Sequence, residues 1–266
     1  MKEYYNVIAD IEELKYFFDN YLVKPLDGES LMAVHSARAK KLTEKERKNT
    51  GLNRAEMFHT EISKKRRDKE YTWKDFLSFI SKFETNKYAY LSEKNEPYPD
   101  KSLVLYLCIN PSSEAASVRD TFERISSFNS ELIQAAINGS KKGIENSVWK
   151  LSSITSHIKS CHAQNISRKV WVDFDVDATI NEKAIDIIKN ISNKFFSMSN
   201  YFIIKTNGGV HIEVKREAIK FNPNNFIAAL KEGLIDYDIS EIIRNVNNMI
   251  PIPGTFQYGN VIKIIR

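Results

Sequence analysis

The chain has 266 residues, enough to bury a proper core as one large domain or two small ones. Its 42% hydrophobic and 27% charged content is that of an ordinary soluble protein, and no apolar run approaches the roughly 18 residues of a membrane span. The net charge of +5 is local: between Ser36 and Glu70, twelve Lys and Arg stand against six Asp and Glu, leaving the remainder slightly acidic. The start, Met1-Lys-Glu-Tyr-Tyr5, lacks the basic end and apolar block of a signal peptide. Cys108 and Cys161 make neither a disulfide framework nor a four-ligand zinc site, and the adjacent pair Cys161-His162 suits packing better than metal. The expectation is a cytoplasmic protein (host cytoplasm if viral) without membrane contact.

In chain order, apolar spacing predicts helices over 10–22, 30–42, 53–65 and 72–83, with Thr72 as an N-cap. Strands are expected over 87–91 and 103–109, separated by a polar turn with Pro97 and Pro99. Helices follow over 113–126, 130–138 and 146–157. The basic runs Arg38-Ala-Lys40-Lys41, Arg47-Lys48 and Lys64-Lys65-Arg66-Arg67 read as a nucleic-acid surface. The other reading is a solvated helix face, since Glu44, Glu46, Glu56 and Glu61 interleave.

The second half is more regular. Val170–Asp177 reads as a strand, followed by a helix with Ile180, Ala184, Ile187, Ile188, Ile191 and Phe195 on one face. Strands at 201–205 and 210–215 flank the turn Thr206-Asn-Gly-Gly209. Helices at 224–234 and 238–246 precede a last strand at 260–265. This βαββαβ order, with one extra helix, is the split βαβ arrangement, in which the first and third strands lie side by side and antiparallel. Helices would cover one sheet face and leave the other free.

Alternation puts Asp173, Asp175 and Asp177 of the first strand on one face, with Val172, Phe174 and Val176 opposite. Three carboxylates on one face repel one another unless water or a cation neutralises them. The row reads either as solvated acids on a half-exposed strand or as a site for Mg²⁺ or Mn²⁺, hard cations that take carboxylates plus substrate phosphates. His211, on the polar face of the third strand, would sit beside the acids and could contact a nucleotide phosphate. Gly208 and Gly209 would let the backbone approach that phosphate, although a Gly pair also simply makes a turn. Asn207 belongs to the same turn, and Lys205 could add a positive charge.

Asp173-Phe-Asp175 after an apolar run, then Gly209-Val-His211 after a strand, resembles the first two motifs of the archaeo-eukaryotic primase (primase-polymerase) superfamily. Pro251-Ile-Pro-Gly-Thr-Phe-Gln257 is similar to its late Pro-Gly-Thr/Ser segment, and Leu105–Pro111 resembles an early strand of phage and mobile-element members. The resemblance spans about residues 100–266. It implies an α/β (α+β) fold: a helical and mixed N-terminal unit packed on an RRM-like βαββαβ catalytic unit. The expected divisions are 1–85 (helical, basic), 86–160 (α/β) and 161–266 (RRM-like). It further implies a DNA primase/polymerase core performing template-directed nucleotidyl transfer with two divalent metals. Asp173 and Asp175 would be metal ligands, with Asp177 on the same face, and His211 a nucleotide-phosphate contact. Nucleoside triphosphates and single-stranded DNA would be the partners.

The third motif matches less well. Asp236 and Asp238 are the nearest acids before the Pro-Gly segment, but Asp238 precedes Ile239-Ser-Glu241 as a helix N-cap would. Asp177 is the other candidate for a third carboxylate. Without a zinc-binding cysteine set or a Walker A motif, any helicase would belong to another chain. The Asp173–Asp177 row fails as a calcium loop, with Ala178 and Ala184 at the positions needing Gly and Glu. His35, His59, His157 and His162 read as surface or packing residues. A metal-dependent nuclease and a non-catalytic single-strand-binding module are the alternative functions.

Overall fold

The computed structural model describes residues 3–245 and 249–266. Helix α1 (Ile11–Asn20) starts at Asp10, whose side chain accepts from Glu13 N, and buries Leu14, Phe17 and Phe18. Strand β1 (Glu29–Arg38) pairs antiparallel with β2 (Ala55–Lys64), with the short helix α2 (Glu44–Thr50) between them. Helix α3 (Trp73–Ser81) opens with a capping box between Thr72 and Asp75. Strand β3 (Leu103–Cys108) pairs with β1, and β4 (Ser112–Ser113) leads into α4 (Glu114–Ile137). Helices α5 (Lys141–Ser152) and α6 (Ile154–Gln164) pack on α4.

The second half contains β5 (Trp171–Ala178), α7 (Glu182–Phe195), β6 (Tyr201–Lys205), β7 (Gly209–Lys215), α8 (Pro223–Gly233) and β8 (Ile239–Asn245). Four short strands follow: β9 (Met249–Pro251), β10 (Phe256–Gln257), β11 (Asn260–Val261) and β12 (Lys263–Ile265). The chain is thus a mixed α/β protein with two antiparallel sheets. One runs β11-β10-β3-β1-β2, with β4 on β1 and β9 on β3; the other runs β12-β6-β7-β5-β8. The boundary expected at 85/86 falls between β1 and β3, which pair directly, and residues 249–261 return to the first sheet. Among the described residues, no helix is long and apolar enough to cross a membrane.

Several expected elements differ. The segments at 30–42 and 53–65 are strands with a β-bulge at His35/Ser36, not helices. Every residue from Glu29 to Ala37 is buried, so β1 lacks the one-sided alternation that marks a strand. Residues 87–91 hold a single 3₁₀ turn rather than a strand, and 113–138 form one helix rather than two. The helix expected over 238–246 is strand β8, with Val246 outside the described residues; Asp238 therefore caps no helix. The expected last strand is broken at Ile262: β11 joins the first sheet and β12 the second.

The two faces of the second sheet differ in cover. Val172, Phe174, Val176, Val210, Ile212 and Val214 pack on α7 and α8, through Ala184, Ile188, Phe226 and Leu230. The opposite face is not free, as expected, but partly buried. Trp171, Phe202, Ile204 and Ile264 share a core with Leu14 and Phe17 of α1 and Leu105 of β3. Tyr21 stacks on Phe202 at 4.1 Å. The end of this face near Asp175 and Asp177 lines a cleft between the sheets.

Candidate active site

The register of β5 and β7 assembles the site. Asp175 lies opposite His211, Asp173 opposite Glu213, and Asp177 opposite Gly209. Cross-strand partners share a face, so three acids of β5 and the His-x-Glu of β7 project the same way. His211 Nδ1 lies 3.0 Å and 3.1 Å from the two Asp173 carboxylate oxygens, and its Nε2 is 3.8 Å from Asp175 Oδ1. Burial alone would lower the imidazole's pKa, but the Asp173 charge and hydrogen bond outweigh it and lift it to about 9. At these distances the imidazole donates its Nδ1–H to the Asp173 carboxylate.

Asp173 and Glu213 are 1% and 0% exposed. Neither oxygen of Glu213 has a hydrogen-bond donor among the described residues. Burial, then the Asp173 charge, raises the Glu213 carboxyl well above the usual range. Burial likewise raises Asp175, with the neighbouring aspartates adding to it and His211 opposing it. Asp173, His211 and Glu213 each offer a ligand atom within 4.8 Å of the others, so this group can hold a metal ion. Two oxygens without donors beside a second carboxylate are an arrangement a cation would satisfy. Glu213 was missed as a site residue, although its two-residue offset from His211 carried the same alternation signal.

The open end of the cleft encloses about 240 Å³. Its second-sheet wall carries Asp175, Asp177, His211, Thr206 and Gly208; the first sheet contributes Ser36, Arg38, Met57 and Tyr106. Arg38 Nη1 donates to the Tyr106 hydroxyl at 2.7 Å. Lys40 reaches across the cleft to Asp177, with Nζ–O distances of 2.7 Å and 3.0 Å. Asp177 is thus ion-paired. Glu241 of β8, opposite Asp177 and on the same face, is a further acid that the helical reading of 238–246 concealed. Asp238 and Asp177 both border a groove beside the 206–209 turn.

The turn itself is held from the first sheet. Asn207 N donates to Gln257 Oε1 at 2.8 Å, which gives the Pro251–Gln257 segment a positioning role. Gly209 is required by close approach: a Cβ there would stand 1.9 Å from the Val176 carbonyl oxygen. That contact is with β5, so the glycine is needed whether or not a phosphate binds. At Gly208 a Cβ would meet only ordinary contacts, the nearest being Asp177 Oδ1 at 3.5 Å. At the other end of β5, Asn110 donates to Trp171 O and accepts from Val170 N and Trp171 N at 2.8–2.9 Å. The Leu105–Pro111 segment therefore fixes where the acidic strand begins.

The remaining expected residues are dispersed. Lys205 does not reach the cleft: it pairs with Glu182 of α7 at 2.8 Å, because β6 turns Lys205 and Ile203 to the helical side. Among the described residues of the basic runs, Arg38 and Lys40 line the cleft; the Lys41 backbone ends the 3₁₀ turn at 39–41. Lys64, Lys65, Arg66 and Arg67 lie at the opposite end of β2, since Arg38 pairs with Ala55 and Ser30 with Lys64. There Lys64 faces Glu114 at 3.4 Å and Lys65 faces Asp27 at 2.6 Å. Comparison with family models, curated proteins and solved structures gives no match for this chain.

Proposed function

We propose that the chain is the catalytic core of a metal-dependent nucleotidyltransferase of primase-polymerase type, joining nucleoside triphosphates on a single-stranded DNA template. The observation that carries this reading is the shared face of Asp173, Asp175 and His211 at a cleft whose other wall presents Arg38 and Lys40. The βαββαβ part of the second sheet, with β5 and β7 central, supports an RRM-like catalytic unit. Asp173 and Asp175, with Glu213 behind them, are the oxygen donors suited to Mg²⁺ or Mn²⁺. When bound, such a cation supplies charge neutralisation at the reacting α-phosphate.

The chain's own groups would do the rest. Arg38 offers a guanidinium to phosphate oxygens while Tyr106 orients it. His211 would hold Asp173 in place through its Nδ1–H. Lys40 can exchange Asp177 for a substrate phosphate without leaving the cleft. The cleft's volume of about 240 Å³ is below the roughly 300–1,000 Å³ of enclosed ligand sites, so it suits a triphosphate whose sugar and base extend outward.

The test is primer synthesis and extension on single-stranded DNA with Mg²⁺ and with Mn²⁺. Wild type should incorporate nucleotides, and Asp175→Asn should lose at least about 100-fold, since even changing a residue that only supports a ligand costs about 10–100-fold. Equal incorporation by the variant would reject the reading. Metal-dependent cutting of DNA without added nucleotide would replace it with a nuclease.

A further inference from the structure

Away from the cleft, three cations, Lys169, Lys215 and Arg216, gather in one groove at the far end of the second sheet, with Arg244 of the edge strand β8 close enough to Lys169 to act on its charge. Lys169 precedes β5, Lys215 ends β7, Arg216 follows it, and Arg244 lies in β8. Register sets Lys215 beside Trp171 on the α1 side of the sheet and Arg244 beside Phe174 on the α7–α8 side, and Arg216 N donates to Val170 O at 2.8 Å. Lys169, Lys215 and Arg216 line one groove with Val170 and Glu217. Burial, then the nearby charges of Arg244 and Arg216, lowers the Lys169 pKa. None of the four has an ion-pair partner among the described residues, Glu217 included. By contrast Lys40, Lys64 and Lys65, in the stretch that looks basic in sequence, all face carboxylates.

We infer that Lys169, Lys215, Arg216 and Arg244 form a second contact, outside the cleft, for the sugar–phosphate backbone of a nucleic acid. Crowded cations without a neutralising group raise the local potential, and a polyanion lowers it. Guanidinium forks match phosphate oxygens in pairs. The choice of nucleic acid rests on the function proposed above. Trp171, the cross-strand partner of Lys215, is four residues from Asp175, about 13 Å along the strand, and this end of the face is packed against α1 and Tyr21, so a strand meeting both places would pass around that cover.

The experiment measures binding of a fluorescent 16-nucleotide single strand across a salt series. Lys169→Ala/Arg216→Ala/Arg244→Ala should reduce the slope of log K against log salt by about 2, since each lost single-strand phosphate contact removes about 0.7. Affinity near 0.1 M salt should fall about tenfold or more. The charge reversal Arg216→Glu/Arg244→Glu should weaken binding further, and unchanged melting temperatures would show that both variants fold. Unchanged slope and affinity would overturn the inference. So would equal affinity for a single nucleoside triphosphate and the 16-mer, the mark of a small-anion site. Wild-type protein that shows this slope loss on mutation yet incorporates no nucleotide would sink the polymerase reading and leave the patch standing.

Discussion

Glu29 and Glu213 are two buried glutamates treated in opposite ways. Glu29 is 6% exposed and accepts from Leu26 N, Ser167 Oγ, Arg168 Nε and Arg168 Nη2 at 2.7–2.8 Å. Burial opposes its ionisation, but the Arg168, Leu26 and Ser167 bonds prevail and hold its pKa at about 2. Glu213, fully buried at 0% exposure, has no donor among the described residues, and burial pushes it the other way. Burial alone therefore does not separate an anchor from a site group; the supply of donors that can offset it matters as well. Where β1 must be tied to the segment entering β5, the chain provides a cation and hydroxyl. Behind the cleft it sets a buried carboxyl beside Asp173 with no cation or hydroxyl to meet it among the described residues.

The largest expected effect that tests this contrast is at the anchor. Removing one partner of a fully buried ion pair costs about 3–5 kcal/mol. Arg168 is about one-third exposed and can recover some solvation, so Glu29→Ala should lose about 2 kcal/mol in chemical denaturation. A loss below about 0.5 kcal/mol, the range of ordinary surface changes, would break the comparison. The pH dependence sharpens it. A carboxyl lowered from 4.5 to about 2 contributes its full stabilisation above 4.5, and loses it as pH falls towards 2. The stability gap between wild type and Glu29→Gln should therefore be widest at neutral pH and narrow steadily between pH 4.5 and 2. A gap that is constant across that window would mean the charge of Glu29 is not what Arg168 holds.

The same contrast in environment explains what sequence could reveal. The β5 acids were legible because their neighbours alternate: Val172, Phe174 and Val176 enter one core while Asp173, Asp175 and Asp177 face away. Pairing with His211 followed from the βαββαβ order. β1 was not legible, because both of its faces are buried and its Leu31-Met-Ala33 run suits a helix equally well. β8 was misread because Ile239, Ile242 and Ile243 are spaced as on a helix, although only Ile242 is buried as core. That error hid Glu241. The partial cover of the acidic face depends on α1 and Tyr21, distant contacts that no local pattern reports. Likewise, the ion pairs that occupy Lys64 and Lys65 join residues 38 or more positions apart.

The smallest expected effect is at Glu213. A carboxyl whose pKa lies well above the usual range binds its proton more readily, and glutamine has the same shape without the charge. The new amide can donate to Asp173, whose carboxylate lies within 4.8 Å of the group. Glu213→Gln should therefore change unfolding free energy by less than about 1 kcal/mol in metal-free buffer, in contrast to Glu29→Ala. Its cost should appear only with metal. At a Mn²⁺ concentration about 100 times its Kd, wild type should gain about 2.7 kcal/mol, and the variant, with a neutral amide oxygen in place of an anionic carboxylate, should gain less. If Glu213→Gln destabilises the metal-free protein as much as Glu29→Ala, then Glu213 is an anchor too. If both proteins gain equally from Mn²⁺, the cation does not use this carboxyl, and Asp175 at the open cleft becomes the donor to examine.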